Sequence, residues 1–355
     1  MDHTFLLYGA NGYTGELIAR HAVQQGLKPI LAGRNETAVA KIAEELNLDY
    51  AAFSLDDTAT LDQHLEGVST VMHAAGPFIH TARPMLEACL RTKTHYLDIT
   101  GEIPVFEMAA SLGKRAYDAG ILLMPGTGFD VVPTDCMALF LKNKLPSATH
   151  LQLAFASKGS RFSRGTALTM AENLGGPSAV RINGKIIPVE TGHKHLTVPF
   201  TQDKHWLSMT IPWGDVSTAY YTTGISNIET YTAVPPKTFR IIRLQKYFNW
   251  LLKSNMVRNF VKNRIKKDAP GPTEAQRKEG RSYVWGKVLD ASGQSVEARI
   301  MVPEGYDLTM KSSVLIAQKV LAGTAPAGFQ TPAKAFGQEL IREVDPGASF
   351  EVLSD

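Results

Sequence analysis

The chain has 355 residues, with 37 Lys+Arg against 34 Asp+Glu and a formal charge of +3. Hydrophobic residues make up 44% and charged residues 20%, which excludes collagen, disordered and low-complexity material and leaves chain for about two domains. Only Cys89 and Cys136 are present, so a disulfide framework is excluded and a reducing compartment fits. The apolar run Phe5–Tyr8 lacks a basic leader, and no window approaches the roughly 18 apolar residues of a membrane span. A cytoplasmic protein is expected.

In chain order, the first 130 residues alternate between two patterns. β-rich runs at Thr4–Tyr8, Pro29–Ala32, Asp49–Phe53, Thr70–Ala75, Tyr96–Ile99 and Ile121–Met124 are separated by helix-spaced apolar residues. Leu17, Ile18 and Ala22 form one such face; Val39, Ile42, Ala43 and Leu46 form the next. This predicts an α/β domain over residues 1–130, a Rossmann-type doubly wound parallel sheet. Ligands of such sheets bind at the carboxyl ends of the strands.

The first of those ends carries Gly9, Asn11, Gly12, Tyr13, Thr14 and Gly15, leaving a strand and opening a helix. Gly9 allows the tight turn, Gly12 lets backbone approach a pyrophosphate, and Gly15 lets the helix pack close to the sheet. The spacing is GxxGxxG rather than GxGxxG, and a ligand-free glycine turn is the alternative. The second strand ends in Gly33-Arg34-Asn35, where an NAD site would place an acid for the ribose 2′-hydroxyl. Arg34 can fork onto a 2′-phosphate instead, which favours NADP(H). Ala75, Gly76 and Pro77 after the fourth run, and Gly126 and Gly128 after the sixth, are expected along the rest of the cofactor. Asp130 follows, where the nicotinamide end is expected.

The blocks GANGYTG, LAGRN, AAGPF, HYLDITGE and PGTGFDVVPTD, in this order, resemble the saccharopine dehydrogenase-like oxidoreductases. Ser163–Ala167, Trp213–Asp215 with Thr223–Ile225, and Gly280–Gly286 extend the resemblance toward the branch that includes trans-acting enoyl reductases. The resemblance implies an NADP(H)-binding fold with reductase ancestry. It also implies that the C-terminal residues 311–355 fold back on the first domain. It does not define the substrate.

Residues 131–310 read as a second, α+β domain for substrate binding or oligomerisation, with a largely antiparallel sheet. Its expected strands are Leu151–Phe155, Lys185–Val189, Trp206–Ile211, Tyr220–Thr223 and Ile228–Ala233, then a hairpin of Tyr283–Leu289 and Val296–Val302. Helices are expected at Thr166–Asn173, Ser312–Leu321 and Lys334–Arg342.

Reduction needs a hydride and a proton donor or charge stabiliser at the acceptor. Asp98, Glu102 and Asp130 lie at strand ends on the appropriate edge, and Arg164 of the second domain could clamp a carboxylate, phosphate or thioester-linked group. For each acid, a helix cap or a loop-holding hydrogen bond is the competing role. Tyr283 and Lys287 have a Tyr-x-x-x-Lys spacing, but on a strand they stand roughly 13 Å apart and cannot cooperate. His193, His195 and His205 lack accompanying Cys or carboxylate ligands, so a polar sheet face is expected rather than a metal site.

Between Lys237 and Lys267 stand ten basic residues and no acid, leaving 27 basic and 34 acidic residues elsewhere, a body of −7. Phe239, Ile242, Tyr247, Phe248, Trp250 and Phe260 interleave with those charges. The segment 237–267 reads as a basic amphipathic helical pair. It could lie peripherally on the inner face of an anionic membrane, receive an acidic acyl-carrier protein, or only pack on its own domain. No nucleic-acid motif accompanies it. Together these features point to an NADP(H)-dependent oxidoreductase acting on a small-molecule or acyl-type substrate, with homodimerisation open. An activated C=C of a lipid or thioester is the favoured acceptor. An imine or C–N bond of the saccharopine type, and a non-catalytic NADP(H)-binding module, are the alternatives.

Overall fold

A strand covered on both faces reads as an unbroken apolar run, and Phe5-Leu6-Leu7-Tyr8 is buried at every position. In the computed structural model, which describes residues 5–245 and 247–354, this run is β1 (Phe5–Tyr8). It is followed by β2 (Ile30–Gly33), β3 (Tyr50–Ala52), β4 (Thr70–His73), β5 (His95–Asp98) and β6 (Leu122–Met124). All pair in parallel, in the order β3-β2-β1-β4-β5-β6. The expected first run began at Thr4, which lies outside the described residues.

The chain divides into two compact units. The first ends at Val132 and takes in Tyr306–Phe336; the second holds Pro133–Gly305 and resumes at Gly337. The second unit contains β7 (His150–Lys158), β8 (Ser178–Ile182), β9 (Lys185–Val189), β10 (His195–Pro199), β11 (His205–Thr210), β12 (Asn227–Ala233), β13 (Arg281–Leu289) and β14 (Ser295–Pro303). These run in the order β10-β11-β12-β7-β13-β14, with β8 joining β12 and β9. Pairing is antiparallel except between β12 and β7. One face of this sheet meets a helix so closely that a Cβ on Gly286 would stand 2.6 Å from Leu141 Cδ1. The other face carries Ala154, Val198, Phe200, Tyr231 and Trp285 as a buried cluster.

Three expectations are corrected. Tyr220–Thr223 is the last turn of a helix, Asp215–Thr223, ended by Gly224 at φ 71°. Its β-favouring residues yield to packing: Val216, Ala219 and Thr223 are buried on the helix, and the Arg181 guanidinium lies 4.3 Å from the Tyr220 ring. The helix expected at Lys334–Arg342 is two short helices, Pro332–Phe336 and Leu340–Val344, interrupted at Gly337 with φ 82°. The segment 311–355 does not act as one piece. β15 (Gly328–Phe329) extends the first sheet beside β6, whereas β16 (Glu351–Ser354) pairs with β14 of the second. The Arg299–Glu351 ion pair, with Arg299 largely buried, fixes that last strand.

Candidate cofactor and catalytic site

With β2 and β3 on one side of β1 and β4 to β6 on the other, the loops after β1 and β4 diverge and open a crevice. Gly9 enters it at φ +88°, a conformation that favours glycine. A Cβ there would stand 2.8 Å from the Ala74 carbonyl carbon and the Ala75 nitrogen. Gly12 donates its N–H to the Gly9 carbonyl (3.0 Å), and a Cβ on Gly15 would stand 2.2 Å from that same oxygen. The missing Cβ at Gly15 lets the helix Tyr13–Gln24 begin so close to the strand, and the missing Cβ at Gly9 lets the loop after β4 pack against the turn. Its N-cap is Gly12 and no side chain caps it, so the first-turn amides face the crevice as an anion site. Asn11 and Gly12 are exposed and Thr14 is half-buried, while the Tyr13 ring meets Tyr306 edge-on at 5.2 Å.

After β2, a Cβ on Gly33 would stand 2.9 Å from Asn11 Oδ1, so this glycine makes room for the Asn11 amide. Arg34 is exposed, and among the described residues no ion pair or hydrogen bond engages it. Its charge acts on the Tyr8 phenol, which burial holds up at about 12 and which donates to the Phe53 carbonyl (3.0 Å). A free guanidinium beside an Asn-lined gap fits a 2′-phosphate. Asn35 serves the fold instead, since its Oδ1 accepts from Ala38 N (3.1 Å) and caps the helix Glu36–Leu46.

The loops after β4 and β5 are locked together by side chains. Thr81 donates its hydroxyl to the Ala75 carbonyl (2.7 Å), so the His73 Nε2 contact at 3.0 Å places a proton on that nitrogen. His73 Nδ1 is then a buried acceptor without a partner, and burial lowers this imidazole to about 3. His73 is a neutral, fully buried imidazole packed among the Tyr8, Phe78 and Tyr96 rings. Glu102 accepts from Phe78 N and Ile79 N, both at 2.8 Å, and so supplies the cap that Pro77 cannot give the helix Phe78–Thr92. Gly76 lies exposed just before that cap.

Asp98 is buried and fully engaged. It accepts from the Tyr96 hydroxyl (2.6 Å), Thr100 N (2.9 Å) and Gly126 N (2.9 Å), which ties the β5 loop to the β6 loop. Burial raises its carboxyl to about 7 against these three donors. Asp130 is raised to about 7 as well, first by burial and then by the Glu102 charge. It sits over Gly101, where a Cβ would come within 2.5 Å of its Oδ2. Gly126 at φ +81° packs under Val131 and Phe106, and Gly128 under Thr309. Asp98, Glu102 and Asp130 thus form one cluster at the β5 and β6 ends, in which Asp98 ties loops together and Glu102 caps a helix.

Arg164 opens the helix Arg164–Glu172 in the second unit, next to its cap Ser163. Its Nη2 donates to the Asp268 carbonyl (2.6 Å), which holds the side chain within that unit. Tyr283 and Lys287 lie on β13 as expected; Lys287 is 3.7 Å from Glu297, and Tyr283 meets Trp206 edge-on at 5.6 Å. His193 and His195 line a cavity of about 570 Å³ over Tyr231 and Trp285 in the second unit. No group of three metal-ligating side chains occurs among the described residues.

The residue pattern overlooked the buttress of the β6 loop. Thr309, Ser312 and Ser313 of the helix Gly305–Leu321 hold it: Thr309 Oγ1 accepts from Phe129 N (3.0 Å) and Ser312 donates to the Thr127 carbonyl (2.6 Å). Small hydroxyls at i, i+3 and i+4 on an otherwise apolar helix face were the available signal.

Residues 5–124 match the family model of the saccharopine dehydrogenase NADP binding domain. The chain carries a saccharopine dehydrogenase-type NADP-binding domain. A saccharopine dehydrogenase-like oxidoreductase of Homo sapiens is 22% identical over 255 residues, 66% of this chain and 52% of that protein. The chain therefore spans about half the length of that relative. A trans-acting enoyl reductase of Mycobacterium ulcerans is 29% identical over 142 residues, 38% of this chain and 34% of that protein. The saccharopine dehydrogenase (L-Glu forming) of Saccharomyces cerevisiae shares the fold, with a TM-score of 0.68 at 12% identity over 99% of this chain and 100% of that one.

If Arg34 holds the 2′-phosphate of this NADP-binding domain, Arg34→Ala weakens NADPH about tenfold to a hundredfold in calorimetric titration and leaves NADH unchanged. Equal losses for both nucleotides contradict that role. The raised carboxyls at 98 and 130 keep protons that the unfolded chain releases near pH about 4. The folded state binds more protons between about pH 4 and about 7, so stability falls as pH rises through that window. In urea unfolding across this range, Asp130→Asn gains stability relative to the parent as pH rises and levels off above about 7.

Proposed function

We propose that the protein is an NADP(H)-dependent reductase whose acceptor is an activated C=C of a lipid or a thioester-linked acyl chain. The observation that carries the reductase reading, for either acceptor, is Asp130: a carboxyl raised to about 7, at the same sheet edge as the glycine turn. The turn at Gly9–Gly15 would hold the pyrophosphate and Arg34 the 2′-phosphate. The remaining half of the dinucleotide would then run past β4 toward the β5 and β6 loops. When bound, NADPH supplies a hydride to the carbon β to the carbonyl. The negative charge this would leave on the substrate would need a proton at its α-carbon, completing the reduced product alongside the oxidised cofactor. Asp130 holds that proton below about pH 7. Asp98 fixes the loop that presents Asp130, and the Glu102 charge helps keep it protonated. The similarity to a trans-acting enoyl reductase over 142 residues supports the C=C acceptor.

An imine or C–N acceptor is the second reading, favoured by the saccharopine dehydrogenase fold shared across nearly the whole chain. Both acceptors need the same proton, so the choice lies in the substrate. The test is NADPH oxidation with a panel of enoyl thioesters, lipid enones and imino acids. Turnover of an enoyl thioester is expected, falling about tenfold per pH unit above about 7, and Asp130→Asn is expected to cut kcat about 10²- to 10⁴-fold with NADPH affinity intact. Turnover of imino acids alone selects the second reading. Tight NADPH binding without turnover on any acceptor makes the protein a binding module and overturns both.

A further inference from the structure

The basic segment folds as three helices, Pro236–Gln245, Asn249–Leu252 and Asn255–Ile265. Of its ten cations, Lys246 lies outside the described residues. One side of each longer helix packs on the second unit. Phe239 enters a buried cluster with Met209 and Val234, and Ile242 packs against it. Arg258 donates to the Leu174 carbonyl (2.8 Å), and Lys262 pairs with Glu172.

The other sides carry large apolar residues in water. Lys237, Ile241 and Leu244 share a stripe on the first helix; Met256, Phe260 and Arg264 share one on the last. Ile241 is 69% exposed, Trp250 75%, Met256 79% and Phe260 65%. A half-buried helix that merely packs places such residues inward, as Phe239 and Ile242 are. Lys237, Arg240, Lys253, Arg264, Lys266 and Lys267 have no carboxylate partner among the described residues. Isolated exposed apolar residues need no explanation, but a cluster of them among unpaired cations in a protein whose remainder is −7 does.

We infer that segment 237–267 is a docking surface for an anionic lipid membrane. A lipid surface receives both halves of the pattern: Trp250 and Phe260 enter the headgroup and acyl boundary while the cations meet anionic headgroups. It does so without a groove, and the apolar side chains here lie along short convex helices. No helix among the described residues is long and apolar enough to cross a membrane, so the contact is peripheral. Docking and the reduction chemistry stand or fall separately.

The experiment is co-sedimentation of the full chain with phosphatidylcholine vesicles, with or without about 30% phosphatidylserine. Salt is set at about 0.1 M and about 1 M, where the screening length falls from about 10 Å to about 3 Å. Binding is expected only with phosphatidylserine and is expected to weaken in high salt. The double variants Trp250→Ala/Phe260→Ala and Lys266→Glu/Lys267→Glu are each expected to lose about tenfold or more in vesicle affinity. Far-UV circular dichroism and a thermal unfolding midpoint like the parent's report an intact fold. Absent binding at low salt, equal binding to pure phosphatidylcholine, or variants that bind like the parent overturn the inference. Retention of an acidic acyl-carrier protein in place of vesicles also overturns it.

Discussion

The first unit depends on one close approach of backbone to backbone. The Gly9 carbonyl is packed beneath Gly15 at the start of a helix, and the Gly9 α-carbon is packed against Ala74 and Ala75 of the neighbouring loop. A side chain at Gly15 would force the helix off the strand and one at Gly9 would push away the loop after β4, because the blocking atoms are backbone and an alanine Cβ, none of which has a rotamer to change. That contact puts an uncapped helix start at the point where the strand order reverses. Whatever anion that helix start receives, its accessibility follows from packing before any charged residue is considered.

Charge then divides the labour among three acids in one cluster. Asp98 binds two backbone amides and a phenol, and Glu102 binds the amides of a helix start. Removal of Asp98 would leave buried donors unsatisfied, which costs more than the net contribution of the bonds. Asp130 is brought to a poised proton by burial and by the neighbouring Glu102 carboxylate. A half-buried carboxyl held near neutrality is the kind of group that the proposed proton transfer needs.

The glycine turn, the gap at Gly33 and the exposed position of Arg34 at a strand end were legible in the sequence because each has a local cause: a positive φ, a missing Cβ, or a charge type just past a strand. The alternation of strands and helices was legible for the same reason, since apolar runs and helical spacing are written in consecutive residues. Competing roles were harder to separate. Glu102 lies 24 residues from the Phe78 amide it caps, and Asp98 lies 28 from Gly126, distances over which no local pattern operates. The division of the C-terminal segment was hidden likewise, because β16 is chosen by a ladder with β14 and by the Arg299–Glu351 pair. At Tyr220–Thr223 the local signal pointed the wrong way: aromatic and β-branched residues favour strand, but burial of the helix face outweighs that preference.

The central claim is that the dinucleotide lies across the reversal of strand order between β1 and β4. Amide hydrogen exchange with and without saturating NADPH tests it most directly. Slowed exchange is expected in peptides covering Gly9–Glu16, Gly33–Glu36 and Ala74–Phe78, with a smaller effect across Gly126–Asp130. Protection confined to the second-unit cavity around His193–Pro199, with the Gly9–Glu16 peptide unchanged, would contradict it.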